Sequence, residues 1–218
     1  MKKGLFEIVL VLDESGSMSS CKKATINGVN EFLKSQSRIT GDALVTLVKF
    51  SGIYDVINDA VPLDQIDYLN SENYAPSNTT ALLDAVGVTI ELMVKRLTDL
   101  TEENTPEKVI FVIITDGYEN ASKEYSRRQI FSMVSHQKEN YHWEFIFLGA
   151  DINSWGREIG IQNNVNISKK DLRRSFKGIT HHVVSSRLGN AQPISKSFNL
   201  TEDELDQRLE SLFEDESE

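Results

Sequence analysis

The sequence predicts an α/β fold, with a doubly wound, mostly parallel central sheet, helices on both faces and one short antiparallel edge strand. Three observations carry that expectation. Short apolar, β-branched runs alternate with longer stretches of helical periodicity almost throughout the 218 residues. The runs are apolar on both faces, as buried parallel strands are. Several of them end abruptly in polar, glycine-containing turns, where a doubly wound sheet places its ligands.

In chain order, residues 6–12 (FEIVLVL) read as a strand ending at Asp13. Residues 19–34 place Ala24, Ile26, Val29, Phe32 and Leu33 near helical spacing. Residues 44–50 (LVTLVKF) form a second strand, and residues 54–57, after Gly52, a short antiparallel edge partner. Residues 80–97 are a strongly amphipathic helix with Leu83, Val86, Ile90, Met93, Val94 and Leu97 on one side. Pro106 punctuates a loop before the most apolar run, residues 109–114 (VIFVII). A helix at 127–138, a strand at 143–148 and a short helix at 155–159 follow. A short strand at 165–167 and a long helix at 170–188 complete the expected order.

No internal repeat or low-complexity linker interrupts this order. Residues 1–195 read as one domain and 196–218 as an acidic C-terminal helix or tail. The formal net charge is −10. From Glu202 to Glu218 there are nine acids and one base, a net of −8, so the body carries only about −2. No basic patch stands out, which argues against nucleic acid as a partner. Leu205, Leu209, Leu212 and Phe213 recur at helical spacing, as in a docked or partner-binding helix with a frayed end.

Cys21 is the only cysteine, and nothing suggests an oxidising compartment. Lys2 and Lys3 precede an apolar run, but Glu7 interrupts it and no small-residue cleavage site follows. No apolar stretch approaches the roughly 18–20 residues of a membrane span. The expectation is a cytoplasmic protein.

Polar side chains gather at three turns. The first strand ends in Asp13-Glu14-Ser15-Gly16-Ser17-Met18. The run Ser77-Asn78-Thr79-Thr80 opens the long helix. Ile114-Thr115-Asp116-Gly117 follows the most apolar strand. Hydroxyls and carboxylates converging from three loops make an oxygen-only site, suited to a hard cation such as Mg²⁺, Mn²⁺ or Ca²⁺. Glu14 and Glu119 flank it as solvated acids. His181 and His182 are adjacent on a helix and point apart, so they do not read as a metal pair.

Asp-x-Ser-x-Ser after the first strand, a threonine opening a later helix and Thr-Asp-Gly after a central strand resemble the von Willebrand factor type A domain with its metal ion-dependent adhesion site. Asn120, and Phe147-Leu148-Gly149-Ala150-Asp151 followed by Ile159-Gly160-Ile161, resemble its bacterial and phage-type intracellular members. The resemblance spans roughly residues 5–190. It implies a metal held by Asp13, Ser15, Ser17, Thr80 and Asp116. Glu14, Met18, Thr79, Gly117 and Tyr118 form the expected partner-binding rim. One departure is Asn78-Thr79, where the family often has glycine before the helix threonine.

The resemblance further implies an adhesion-type module that takes the aspartate or glutamate of a protein partner onto the cation. Its setting would be an intracellular system with an ATPase, a kinase, or stress or defence proteins. A neighbouring copy, or the chain's own acidic tail, is a candidate donor of that carboxylate. The family implies a switch of affinity through the last helix. No catalysis is expected; the alternative is a metal-dependent hydrolase or phosphatase of doubly wound fold. Aspartyl phosphatases of the haloacid dehalogenase type need a second acid where Ser15 stands.

Overall fold

The computed structural model describes residues 1–150, 155–167 and 171–216. Six strands form one sheet in the order β3-β2-β1-β4-β5-β6. They are β1 (Lys2–Asp13), β2 (Ala43–Phe50), β3 (Tyr54–Pro62), β4 (Pro106–Thr115), β5 (Glu144–Ala150) and β6 (Asn163–Ile167). Among the described residues only β3 runs antiparallel, against β2; every other pair is parallel. The chain moves outward from β1 to β2 and β3, then returns to β4 on the other flank of β1 and continues to β5 and β6. The topological switch therefore lies between β1 and β4, and a ligand crevice belongs at their carboxyl ends.

The apolar strands are sandwiched because helices cover both faces. On one face lie α1 (Lys22–Gln36) and α5 (Leu172–Arg187); on the other lie α2 (Leu82–Thr98), α3 (Arg127–Tyr141) and the short α4 (Trp155–Glu158). Ile8, Leu10 and Leu12 of β1 join the core under α1 and α5, whereas Val9 and Val11 join the core under α2 and α3. That alternation is the period of a strand buried on both sides. α1 and α5 meet closely at Gly28, where a Cβ would stand 2.1 Å from the Phe176 ring.

Two further helices, α6 (Ile194–Phe198) and α7 (Glu202–Asp215), follow α5. α7 begins with a capping box, in which Thr201 and Glu204 satisfy each other's backbone groups. Leu205, Leu209 and Phe213 are buried, the last two against Ile39 and Val184. Charged contacts reinforce the docking. Lys177 bonds Glu202 and Asp206, and Arg38 bonds Glu210 while its guanidinium stacks 3.8 Å over Phe213. Thr40 donates to Glu216 through both its amide and its hydroxyl.

Thr40 precedes β2, so the acidic end of α7 sits at the edge where strands begin, opposite the three polar turns. Its carboxylates Glu202, Asp206, Glu210 and Glu216 already have donors. This corrects the expectation that the tail reaches the polar turns of its own chain, because docking fixes it on the wrong side of the sheet.

Smaller differences have local causes. Pro106 does not end a loop but begins β4, a strand position that demands no amide donor from it. β3 runs nine residues, to Pro62, although Asp55, Asn58 and Asp59 obscure its pattern. The register with β2 shifts twice, and Ala60 adopts φ +50°. α2 begins at Leu82, two residues after Thr80. The first residue of the expected last helix, Lys170, lies outside the described residues, as do Asp151 and the final two residues of the tail.

Candidate functional site

Parallel pairing sets Leu12 of β1 beside Ile114 of β4, so the turns after both strands open at the same edge. Asp13 ends β1 and is fully buried. One of its oxygens accepts the Ser15 amide at 2.7 Å and the other the Thr115 hydroxyl at 2.5 Å. Burial pushes the Asp13 carboxyl above its ordinary value. The bonds from Thr115 and Ser15 pull it back only in part, and the nearby charge of Asp116 adds to the rise. The Ser15 and Ser17 hydroxyls lie 2.9 Å apart, and Ser17 donates to Asp116.

Thr80 joins them from the second turn. A Cβ built on Gly117 would stand 3.0 Å from Thr80 Oγ1, 3.2 Å from Ser17 Oγ and 3.5 Å from Asp13 Oδ2. Three loops thus surround one small space, and it stays open because Gly117 has no side chain. The adjacent Thr79 is turned elsewhere: its hydroxyl lies 2.9 Å from a Cβ built on Gly52. Asp13, Ser15 and Thr80 form a buried floor, whereas Ser17 is exposed and Asp116 partly so.

The loops are fixed by a set of supporting bonds. Tyr74, itself buried, donates to the Asp13 carbonyl at 2.7 Å. Thr115 bridges Asp13 and the Gly117 amide, which donates to it at 3.1 Å. Asn120 clamps Thr80 twice: its side chain accepts the Thr80 amide and its amide donates to the Thr80 carbonyl, each at 3.0 Å. Asn78 takes φ +62°, a left-handed conformation that asparagine tolerates better than most residues.

The expected rim is partly redrawn. Thr79 and Tyr118 are exposed and Gly117 partly so. Met18 is not on the rim; it is 1% exposed and packs into the core under α1. Glu14 is held by Lys49 at 3.1 Å and by the Ala75 amide at 2.5 Å. It anchors the loop before α2 rather than facing outward. Glu119 is not simply solvated either. It accepts the amides of Leu83, Ala121 and Ser122, and so caps the start of α2, whose early amides have no helical partner. His182 bonds Glu144 and His181 meets Ser197.

Among the described residues no group of three or more His, Cys, Asp or Glu side chains gathers to hold a metal. A cation site here would need hydroxyls. The polar turns supply three of them with two carboxylates, an oxygen donor set that fits Mg²⁺ or a similar hard ion.

No family model and no curated protein sequence matches the chain. Its fold does match solved structures. The vWF domain of the type V pili tip protein Mfa5 from Porphyromonas gingivalis superposes with a TM-score of 0.60 at 11% identity, over 86% of this chain and 96% of that one. Proximal thread matrix protein 1 from the mussel byssus gives 0.60 at 14% identity, over 81% and 47%. A von Willebrand factor type A protein from Catenulispora acidiphila gives 0.53 at 12%, over 80% and 41%. The chain thus spans about half the length of the mussel protein or less. At these identities the likeness concerns architecture, and the architecture is that of a von Willebrand factor type A domain. Among the described residues, no helix is long and apolar enough to cross a membrane.

Proposed function

We propose that the chain is a divalent-cation-dependent protein-binding module. Asp13, Ser15, Ser17, Thr80 and Asp116 would hold the ion, Mg²⁺ being the best fit to the oxygen donors. The bound ion would supply a Lewis-acidic position for the aspartate or glutamate of a partner protein. The observation that carries the reading is the space beside Gly117, bordered by oxygens from three loops over a buried carboxylate. The chain's own residues do the rest. Tyr74, Thr115 and Asn120 fix the loops in advance, which lowers the ordering cost of binding. Hydroxyls contribute no charge, so the set adds only two negative charges at most to a dication. Tyr118, 61% exposed, and Ile53, 77% exposed, supply apolar contact at the same edge.

The test is calorimetric titration with Mg²⁺ and Mn²⁺, followed by an acidic peptide with and without the ion. Saturable binding of one ion, lost in Thr80→Ala but retained in Thr79→Ala, is the expected result. Peptide binding should appear only with the ion. Equal ion binding by Thr80→Ala and wild type would overturn the ligand assignment, and peptide binding that ignores the ion would overturn the function.

A further inference from the structure

On the outer side of α5, its last two turns, α6 and α7 border an open cavity of about 260 Å³. His182 in its wall pairs with Glu144, the first residue of β5. The cavity therefore lies towards the sheet edge opposite the polar turns. His181, Ser185, Lys196, Ser197, Arg208 and Ser211 line it, with two amides and one leucine, and no carboxylate does. That is unexpected on α7, which carries most of the chain's net charge of −10. Arg208 is the one base of that helix, and it borders this cavity.

The other cations facing α7 are engaged: Arg38 with Glu210, Arg173 with Glu202, and Lys177 with Glu202 and Asp206. The side chains of Arg208 and Lys196 have no hydrogen bond or close ion pair among the described residues, and Arg208 is drawn to Glu204 only at longer range. The acid one turn before Arg208, Glu204, is occupied by the capping box, accepting the Thr201 amide at 2.7 Å and hydroxyl at 2.9 Å. Beneath the floor, Glu144 is shared between His182 and Lys108, each at 2.5 Å. Ser197 is buried and lies 2.9 Å from His181 Nδ1. The Ser185 hydroxyl, also buried, has no partner among the described residues.

The end of α5 also opposes an anion, since helix carboxyl ends carry about half a negative charge. Here the carbonyls of Val184, Ser185 and Ser186 accept the amides of Leu188, Asn190 and Gly189 at 3.0, 2.8 and 3.2 Å. The end is capped, and two full positive charges outweigh it. We infer that this cavity binds a phosphate group, either free or as a small monoester. Two cations and several hydroxyl donors around one space match a multiply charged oxyanion. The volume lies just under the roughly 300 Å³ at which small-molecule pockets begin, in keeping with a small ligand.

The experiment is an NMR titration of the full chain with sodium phosphate against matched ionic strength in sodium chloride. A second arm uses phenyl phosphate. Saturable shifts confined to residues 181–211 are expected. Binding should weaken about tenfold or more in Lys196→Ala/Arg208→Ala, and stay unchanged in Lys95→Ala on the far face. Tighter binding of phenyl phosphate would assign a monoester, and equal or weaker binding the free ion. Shifts that do not saturate, or that persist unweakened in the double variant, overturn the inference. Both altered side chains are exposed, and spectra that are unchanged elsewhere verify the fold.

Discussion

β1 carries two fully buried carboxylates, Glu7 midway along it and Asp13 at its end, and the fold treats them in opposite ways. Glu7 is bonded by Arg96 and by Thr46 at 2.9 Å, and Arg96 also reaches Asp59 at 3.3 Å. Asp13 receives only an amide and a hydroxyl. Burial raises both carboxyls above their ordinary range, and Arg96 is the largest force pulling Glu7 back. The edge where strands begin repeats the first pattern, with Glu144 between Lys108 and His182. One end of the sheet neutralises its buried charge internally. At the other, Asp13 is left with neutral donors, beside a space an outside cation would fit.

The largest effect should come from breaking the closed end. Arg96→Ala leaves Glu7 buried without its cation and should cost about 3–5 kcal/mol in denaturant unfolding. Asp13→Asn, tested in the same way without metal, should cost about 1 kcal/mol or less, because a neutral amide escapes the burial penalty of a charge. Equal losses would erase the contrast between the two ends.

A pH scan sharpens it. Burial alone would raise the Glu144 carboxyl, but His182 and Lys108 outweigh that and hold it down at about 2, against an ordinary 4.5. A depressed carboxylate stabilises the fold above its unfolded value, and that stability is lost as pH falls through the folded value. Wild type should therefore lose up to about 3 kcal/mol between about pH 4.5 and about pH 2. Glu144→Gln should show a flatter profile in that window. An unchanged slope would mean that other carboxylates govern acid unfolding.

The smallest effect belongs to the turn before α2. Asn78→Ala should cost about 1 kcal/mol, from the positive φ, whereas Asn78→Gly should be near neutral. Thermal unfolding of the pair measures this. A tolerated alanine would show that the turn relaxes to another conformation.

The parallel strands and the order of the layers are legible because a short apolar run between polar turns is too brief for a buried helix and too apolar for a loop. β3 is only half legible: Asp55, Asn58 and Asp59 on an edge strand, with two register shifts, erase the period that identifies strands. Asp13, Ser15, Ser17, Thr80 and Asp116 can be selected because each stands in a recognisable turn. Of their supports, Thr115 and Asn120 stand in recognisable motifs, but Tyr74 and Glu119 do not. Tyr74 holds a backbone carbonyl 61 residues away, and Glu119 caps a helix that begins long before it; neither relation leaves a local trace. Met18 misleads for the converse reason. It follows the first polar turn directly, yet the 3-10 turn over Gly16–Cys21 swings it into the core.

The contact between Gly28 and Phe176 has a consequence for genetics. The Phe176 ring is buried against Gly28, so even a methyl group at position 28 forces the ring or the two helices to shift. Since α7 docks against α5, that strain would spread to the acidic helix as well. Gly28→Ala is thus a natural choice for a temperature-sensitive allele, one that weakens the chain as a whole while leaving every polar group at both ends of the sheet chemically intact.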